Sequence, residues 1–132
     1  MRLMLDTNTV SHLLRQHPQV LHRFALTAPG NLSISCITEA ELLYGVAKKQ
    51  SHALRIMVLS FLQSITVYSW DSEAAIAYGK LRAAMEKRGK SMGDLDQLIA
   101  AHAISRNARI VTSDRAFTMV QELDVEDWTQ TY

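Results

Sequence analysis

Apolar positions along this chain recur with two different periods. Short runs that are apolar throughout or that alternate, RLMLD at 2–6, LSISCI at 32–37, TVYSW at 66–70 and RIVT at 109–112, have the length and apolar density of buried strands. Between them apolar residues fall at helical spacing. The pattern predicts helices over 7–16, where Val10, Leu13 and Leu14 line up, over 18–27, from Thr38 through TEAELLYGVAKK, and over 51–64. A long amphipathic helix is predicted over 72–88, with Ala75, Ile76, Tyr78, Gly79 and Leu81 among its inner positions and Gly89 at its end. A helix rich in Leu, Ile and Ala covers 93–106, followed after RIVT by a short helix near 115–120 and a stub at 124–126. Pro18 and Pro29 mark the edges of short helical segments. No repeat, low-complexity tract or linker interrupts the series.

Strands that alternate with helices predict an α/β fold with a mostly parallel sheet covered on both faces. In such sheets ligands lie outside the carboxyl ends of the strands. That rule directs attention to Asp6, which closes the first apolar run, and to Asp114, which follows RIVTS.

Bulk properties narrow the picture. With 132 residues, 48% hydrophobic and 20% charged, the chain is the size of one domain, 1–132, with a real core. A net charge of +1 excludes a global polycation, so any contact with nucleic acid comes from a local patch. The single cysteine, Cys36 in LSISCI, has no partner for an internal disulfide and reads as a small buried hydrophobe. No stretch approaches the ~20 apolar residues of a membrane span. No signal-peptide pattern opens the chain either, so a cytoplasmic protein is expected.

Four acids carry the candidate chemistry, each with a plain structural alternative. Asp114 could cap the short helix after it, as could Ser113. Glu41 in ITEAELLYG fits a capping box with Thr38, with Ile37 and Leu42 as a hydrophobic staple, yet it also sits at the rim of the carboxyl-end crevice. It shares a helix face with Tyr44, Gly45 and Lys48, and Glu39 is the rival carboxylate. Asp96 in MGDLDQLIAAHA heads a packed stripe of Ile99, Ala100 and Ala103, where an acid is costly unless paired or metal-bound. Asp94 is better explained as a first-turn acid. Four converging carboxylates repel one another, and a divalent cation removes that repulsion. Oxygen-only donors select hard ions such as Mg²⁺ or Mn²⁺. His12, His17 and His22 are read as surface residues and His102 as packed.

LMLDTN, ITEAELLYG, GDLDQLIAAHA and IVTSDRAF occur in this order between Leu3 and Trp128. With these motifs the chain resembles the PIN domain and, more narrowly, the VapC toxins of bacterial toxin–antitoxin pairs. The resemblance implies an α/β/α sandwich with a mostly parallel central sheet. It implies a Mg²⁺-dependent endoribonuclease, with Mn²⁺ able to substitute, whose catalytic and metal-holding acids are Asp6, Glu41, Asp96 and Asp114. Asn8, Thr112 and Ser113 support them by resemblance, with Ser113 standing where the motif often has Asn. It further implies tRNA as substrate, the anticodon loop of initiator tRNA among the candidates, a cognate VapB antitoxin covering the site, and a homodimer. Leu13, Leu14, Ile56, Met57, Leu59 and Phe61 are the expected antitoxin groove. Arg82, Lys87, Arg88 and Lys90 form a basic cluster suited to phosphates, with Arg15, Lys48 and Lys49 as further candidates. Two other readings remain. One is a phosphatase of the haloacid dehalogenase type, although Asn8 stands where its second Asp belongs. The other is a PIN-like module that binds RNA or protein without cutting, although all four acids are present.

Overall fold

The computed structural model describes residues 1–131. Strands β1 (Leu3–Leu5), β2 (Leu32–Ser35), β3 (Thr66–Tyr68), β4 (Arg109–Val111) and β5 (Val125–Glu126) form one sheet in the order β3-β2-β1-β4-β5. Every neighbouring pair is parallel. The helices are α1 (Thr7–Leu14), α2 (Pro18–Leu26), α3 (Cys36–Lys49), α4 (His52–Ser64), α5 (Ser72–Lys87) and α6 (Asp94–Ser105). Short 3₁₀ turns cover Pro29–Asn31 and Arg115–Met119. The α/β expectation is met.

β1 is central and buried along its whole length, so its side chains divide between the two cores. Met4 joins Ile110, Ile99, Ala100, Leu81, Met85 and Phe117 on the face covered by α5 and α6. Leu3 and Leu5 join Ile34, Val111, Val10, Val20, Val58 and Trp128 on the face covered by α1, α2, α3 and α4. The period of two along a strand produces this split. The chain leaves β1 for β2 on one side and returns to β4 on the other, so the crevice between β1 and β4 is the topological switch point where ligands bind.

Several expectations need correction. Helix α3 begins at Cys36 rather than Thr38, because Ser35 caps it by accepting a hydrogen bond from the Ile37 N–H at 3.1 Å. Thr38 and Glu41 therefore lie inside the helix, and the capping box is not formed. In α5 the buried stripe is Ala74, Leu81 and Met85, flanked by Ala77 and Tyr78, while Ala75, Ile76 and Gly79 face solvent. A helix so rich in alanine has no single dominant apolar face, so packing against α6 rather than periodicity sets its rotation. Leu13 and Phe61 belong to the core, whereas Ile56, Met57 and Leu59 are exposed on α4. Cys36 is only half-buried, and its Sγ accepts the Trp70 N–H at 3.3 Å. His12 and His17 are half-buried, with ring centroids 5.2 Å apart, and His17 caps α2. Among the described residues no helix is long and apolar enough to cross a membrane.

Two glycines of the α5 region should respond to alanine with opposite signs. Gly79 lies within α5 with open space where a Cβ would stand, so Gly79→Ala should stabilise by about 0.5–1 kcal/mol through helix propensity. Gly89 has φ +68°, so Gly89→Ala should destabilise by about 1 kcal/mol. Urea denaturation of both variants tests the pair, and equal shifts would contradict this reading of the helix end.

Candidate active site

Asp6 follows β1 directly and caps α1. Its Oδ1 accepts the Thr9 N–H at 2.8 Å, and its Oδ2 accepts the Thr112 hydroxyl at 2.6 Å. The residue is only 2% exposed. Burial pushes its pKa up, the Thr112 and Thr9 hydrogen bonds pull the other way, and the charge of Asp114 adds to the rise. The ends of β1 and β4 are fastened at the same point. Asp6 N–H donates to Val111 O at 3.0 Å, and the Thr9 hydroxyl donates to the same carbonyl at 2.9 Å.

Thr112 links two acids through one oxygen. While donating to Asp6, its hydroxyl accepts the Asp114 N–H at 2.9 Å. Asp114 in turn caps the 3₁₀ turn, its Oδ1 accepting the Ala116 N–H at 2.9 Å. The capping role foreseen as an alternative is real, and it occupies one oxygen of the carboxylate.

Glu41 arrives from α3. Its Oε1 accepts the Thr7 hydroxyl at 2.6 Å, and the Thr38 hydroxyl lies 3.2 Å from that of Thr7. Asp96 arrives from the first turn of α6, half-buried beside Gly93. Its pKa is pushed up to about 6, first by burial and then by the charges of Asp114, Asp6 and Glu41. Each of the other three acids is therefore close enough to repel it. Four carboxylates from four separate elements converge at the switch point.

The helices that carry Glu41 and Asp96 are tied beneath this point. The Ser35 hydroxyl that caps α3 lies 2.7 Å from Nδ1 of His102 on α6. His102 is fully buried, as its packed reading required, and burial lowers its pKa. The Trp70 indole donates to Leu98 O at 2.9 Å, adding a second fastening to α6.

The PIN domain model matches residues 3–123. The tRNA(fMet)-specific endonuclease VapC of Shigella flexneri is 38% identical over 132 residues, covering 98% of this chain and 99% of that protein. Ribonuclease VapC2 of Haemophilus influenzae (strain ATCC 51907 / DSM 11121 / KW20 / Rd) is 36% identical over 131 residues, covering 97% and 98%. This chain is a PIN domain of the VapC family. Among solved structures, VapBC2 from Rickettsia felis, bound to a DNA fragment from its promoter, superposes with a TM-score of 0.91 at 34% identity, covering 97% of this chain and 99% of that one. The PIN assignment displaces the phosphatase reading.

In this PIN domain the other residues singled out from the sequence fall in different places. Asn8 is exposed, and the described hydrogen bonds to Asp6 come from Thr9 and Thr112. Ser113 is half-buried beside the Thr112 link. Arg82 is engaged on its own helix with the Tyr78 hydroxyl at 2.8 Å and with Glu86 at 3.5 Å, and Arg88 donates to Met119 O at 2.9 Å. Lys87 and Lys90 are exposed. The basic residues that line a hollow beside Glu41 are Arg15 and Lys49. Reading the sequence missed Thr7 and Thr9. DTNT offers a local signal only for the Thr9 N–H, which bonds the capping acid three residues back, while the partners of the two hydroxyls lie far along the chain.

Among the described residues no three acidic, histidine or cysteine side chains are grouped so as to hold a metal ion as they stand. The donor chemistry nevertheless fits a hard divalent cation, because the converging set is all oxygen. Burial raises the Asp96 pKa first and the neighbouring charges add to it, and a cation would offset that second part. PIN-domain nucleases generally depend on a divalent metal.

The direction of the Asp96 shift fixes a pH dependence. In the metal-free protein the folded state binds its proton more tightly than the unfolded chain, whose carboxyl titrates near 3.8. Stability from this group is therefore greatest below about pH 4 and falls as pH rises through about 6. Asp96→Asn should raise the urea midpoint in EDTA at pH 7.5 and leave it nearly unchanged at pH 4. Equal effects at both pH values would contradict the raised pKa of Asp96.

Proposed function

We propose that this VapC-family chain is the toxin of a type II toxin–antitoxin pair, a Mg²⁺-dependent endoribonuclease that cuts tRNA and so arrests translation. The observation that carries this reading is the gathering of four acids near the carboxyl edge of the sheet, Asp6 and Asp114 after β1 and β4 and Glu41 and Asp96 from α3 and α6, with the other three adding to the raised pKa of Asp96. Asp6, Glu41, Asp96 and Asp114 would hold the cation, with Mn²⁺ able to replace Mg²⁺. When bound, the cation lowers the pKa of a water and neutralises charge on the scissile phosphate. The chain's own residues hold the acids in place. Thr9 and Thr112 orient Asp6, Thr7 orients Glu41, and the Thr112 oxygen fixes the Asp114 main chain. Asn8 and Ser113 border this set. In-line attack by water leaves a 5′-phosphate and a 3′-hydroxyl.

Initiator tRNA is the first substrate to test, because relatives at 38% and 35% identity from Shigella flexneri and Salmonella typhimurium are named tRNA(fMet)-specific endonucleases. Arg15 and Lys49 beside Glu41, together with Arg82, Lys87, Arg88 and Lys90, supply phosphate contacts. A VapB antitoxin neutralises the enzyme, by analogy with the VapBC complexes of Rickettsia felis and Salmonella typhimurium. The hollow walled by Leu14, Leu54 and Val58, with Ile56, Met57 and Leu59 exposed on the same helix α4, is the face we assign to it. We place the chain in the cytoplasm as a single domain, 1–132, working as a homodimer.

Purified protein freed of any partner should cut tRNA at discrete sites with Mg²⁺. The cuts should vanish in EDTA and fall by more than about 100-fold in Asp6→Ala. Thr112→Val should cost about 10–100-fold, by misorienting Asp6. Gel mapping with end-group analysis checks all three. Cutting that survives EDTA, or products ending in 2′,3′-cyclic phosphate, would overturn the mechanism.

A further inference from the structure

A second hollow opens on the other side of Glu41. It has a volume of about 400 Å³ and is lined by Thr7, Ile37, Ala40, Glu41, Tyr44 and Leu95. Thr7 and Glu41 are shared with the acidic centre, so whatever lies in the hollow abuts those acids. Tyr44 is 65% exposed and Leu95 48%, so the walls of the hollow are open to solvent. The Glu41 carboxylate is the one charged group of the lining, so a phosphate is repelled there. A flat, uncharged group is not. The Lys48 ammonium lies 5.8 Å from the Tyr44 ring centroid, where it can meet a neighbouring phosphate.

We propose that this hollow seats a nucleobase: an unstacked base of single-stranded RNA, next to the phosphate cut at the acidic centre, lies against the Tyr44 ring with Leu95 as the opposite wall. The proposal rests on the endoribonuclease reading and adds to it a residue that selects for unpaired RNA. Sequence-specific RNA recognition targets splayed bases stacked on aromatic side chains, and such stacking tolerates any base because every base has a π-face. The two hollows flanking Glu41 then divide the work. Arg15 and Lys49 line the one that favours the backbone, and Tyr44 and Leu95 line the one that favours the base. A paired helix cannot present a base to Tyr44, so duplex RNA is excluded by the same geometry.

The test is equilibrium binding of a fluorescently labelled single-stranded RNA nonamer in EDTA, where no cleavage intervenes. Tyr44→Ala should raise Kd roughly 5- to 100-fold, and Tyr44→Phe should leave it within about twofold. Tyr44 is exposed, so neither variant threatens folding. Replacing the bases one at a time by abasic sites should reveal one position where the wild type loses a similar factor and Tyr44→Ala loses nothing more. Binding by Tyr44→Ala equal to the wild type, or abasic losses undiminished in that variant, would overturn the base seat alone. So would a Tyr44→Ala protein that changes its oligomeric state in sedimentation with RNA affinity intact, since the face would then belong to a second copy. A wild type that neither binds the RNA in EDTA nor cuts RNA with Mg²⁺ would overturn the nuclease reading together with the base seat.

Discussion

A carboxylate that is almost completely buried at the end of the central strand is the constraint around which this protein is arranged. Asp6 loses most of its hydration, and two hydrogen bonds compensate part of that loss, from the Thr9 main chain and the Thr112 hydroxyl. Those bonds have structural consequences. They start α1, fasten the end of β1 to the end of β4, and through the same Thr112 oxygen set the backbone that presents Asp114. A group that is costly to bury thus organises the switch point of the sheet. What the bonds leave uncompensated is first the burial itself and then the charge of Asp114, and both keep the carboxyl above its usual range.

The rest of the fold delivers the other acids to that point and keeps them there. A parallel sheet gives every strand the same carboxyl end, so residues distant in sequence gather on one edge. Glu41 and Asp96 come from helices rather than strands and need separate anchoring. The Ser35–His102 pair and the Trp70–Leu98 bond provide it beneath the surface. With α3 and α6 fixed, Glu41 sits between two largely apolar hollows, of which one also carries Arg15 and Lys49.

Much of this was legible in the sequence because it depends on local pattern. Strand–helix alternation specifies the fold class, and the end-of-strand rule points to Asp6 and Asp114. Three kinds of feature were not legible. Helix rotation in α5 failed because alanines and glycines leave the apolar stripe ambiguous, so Ile76 was placed inward when it is 55% exposed. The start of α3 failed because Ser35 caps it while held by His102, a contact between residues far apart in the chain. Thr112 is marked by the resemblance, but Thr7 and Thr9 are not legible, because a hydroxyl carries no periodic signal. The Thr7 hydroxyl meets Glu41 34 residues away, and the Thr9 hydroxyl meets the Val111 carbonyl at the end of β4, so both roles depend on the fold.

The central claim is that the converging acids form a cation site whose mutual repulsion the cation relieves. The most direct test is calorimetric titration of Mg²⁺ into the metal-free protein at pH 6 and pH 8, in two buffers of different ionisation enthalpy. With Asp96 titrating at about 6, binding should release about half a proton at pH 6 and almost none at pH 8. The release should disappear in Asp96→Asn. Absence of binding, or binding with the same proton count at both pH values, would contradict the account.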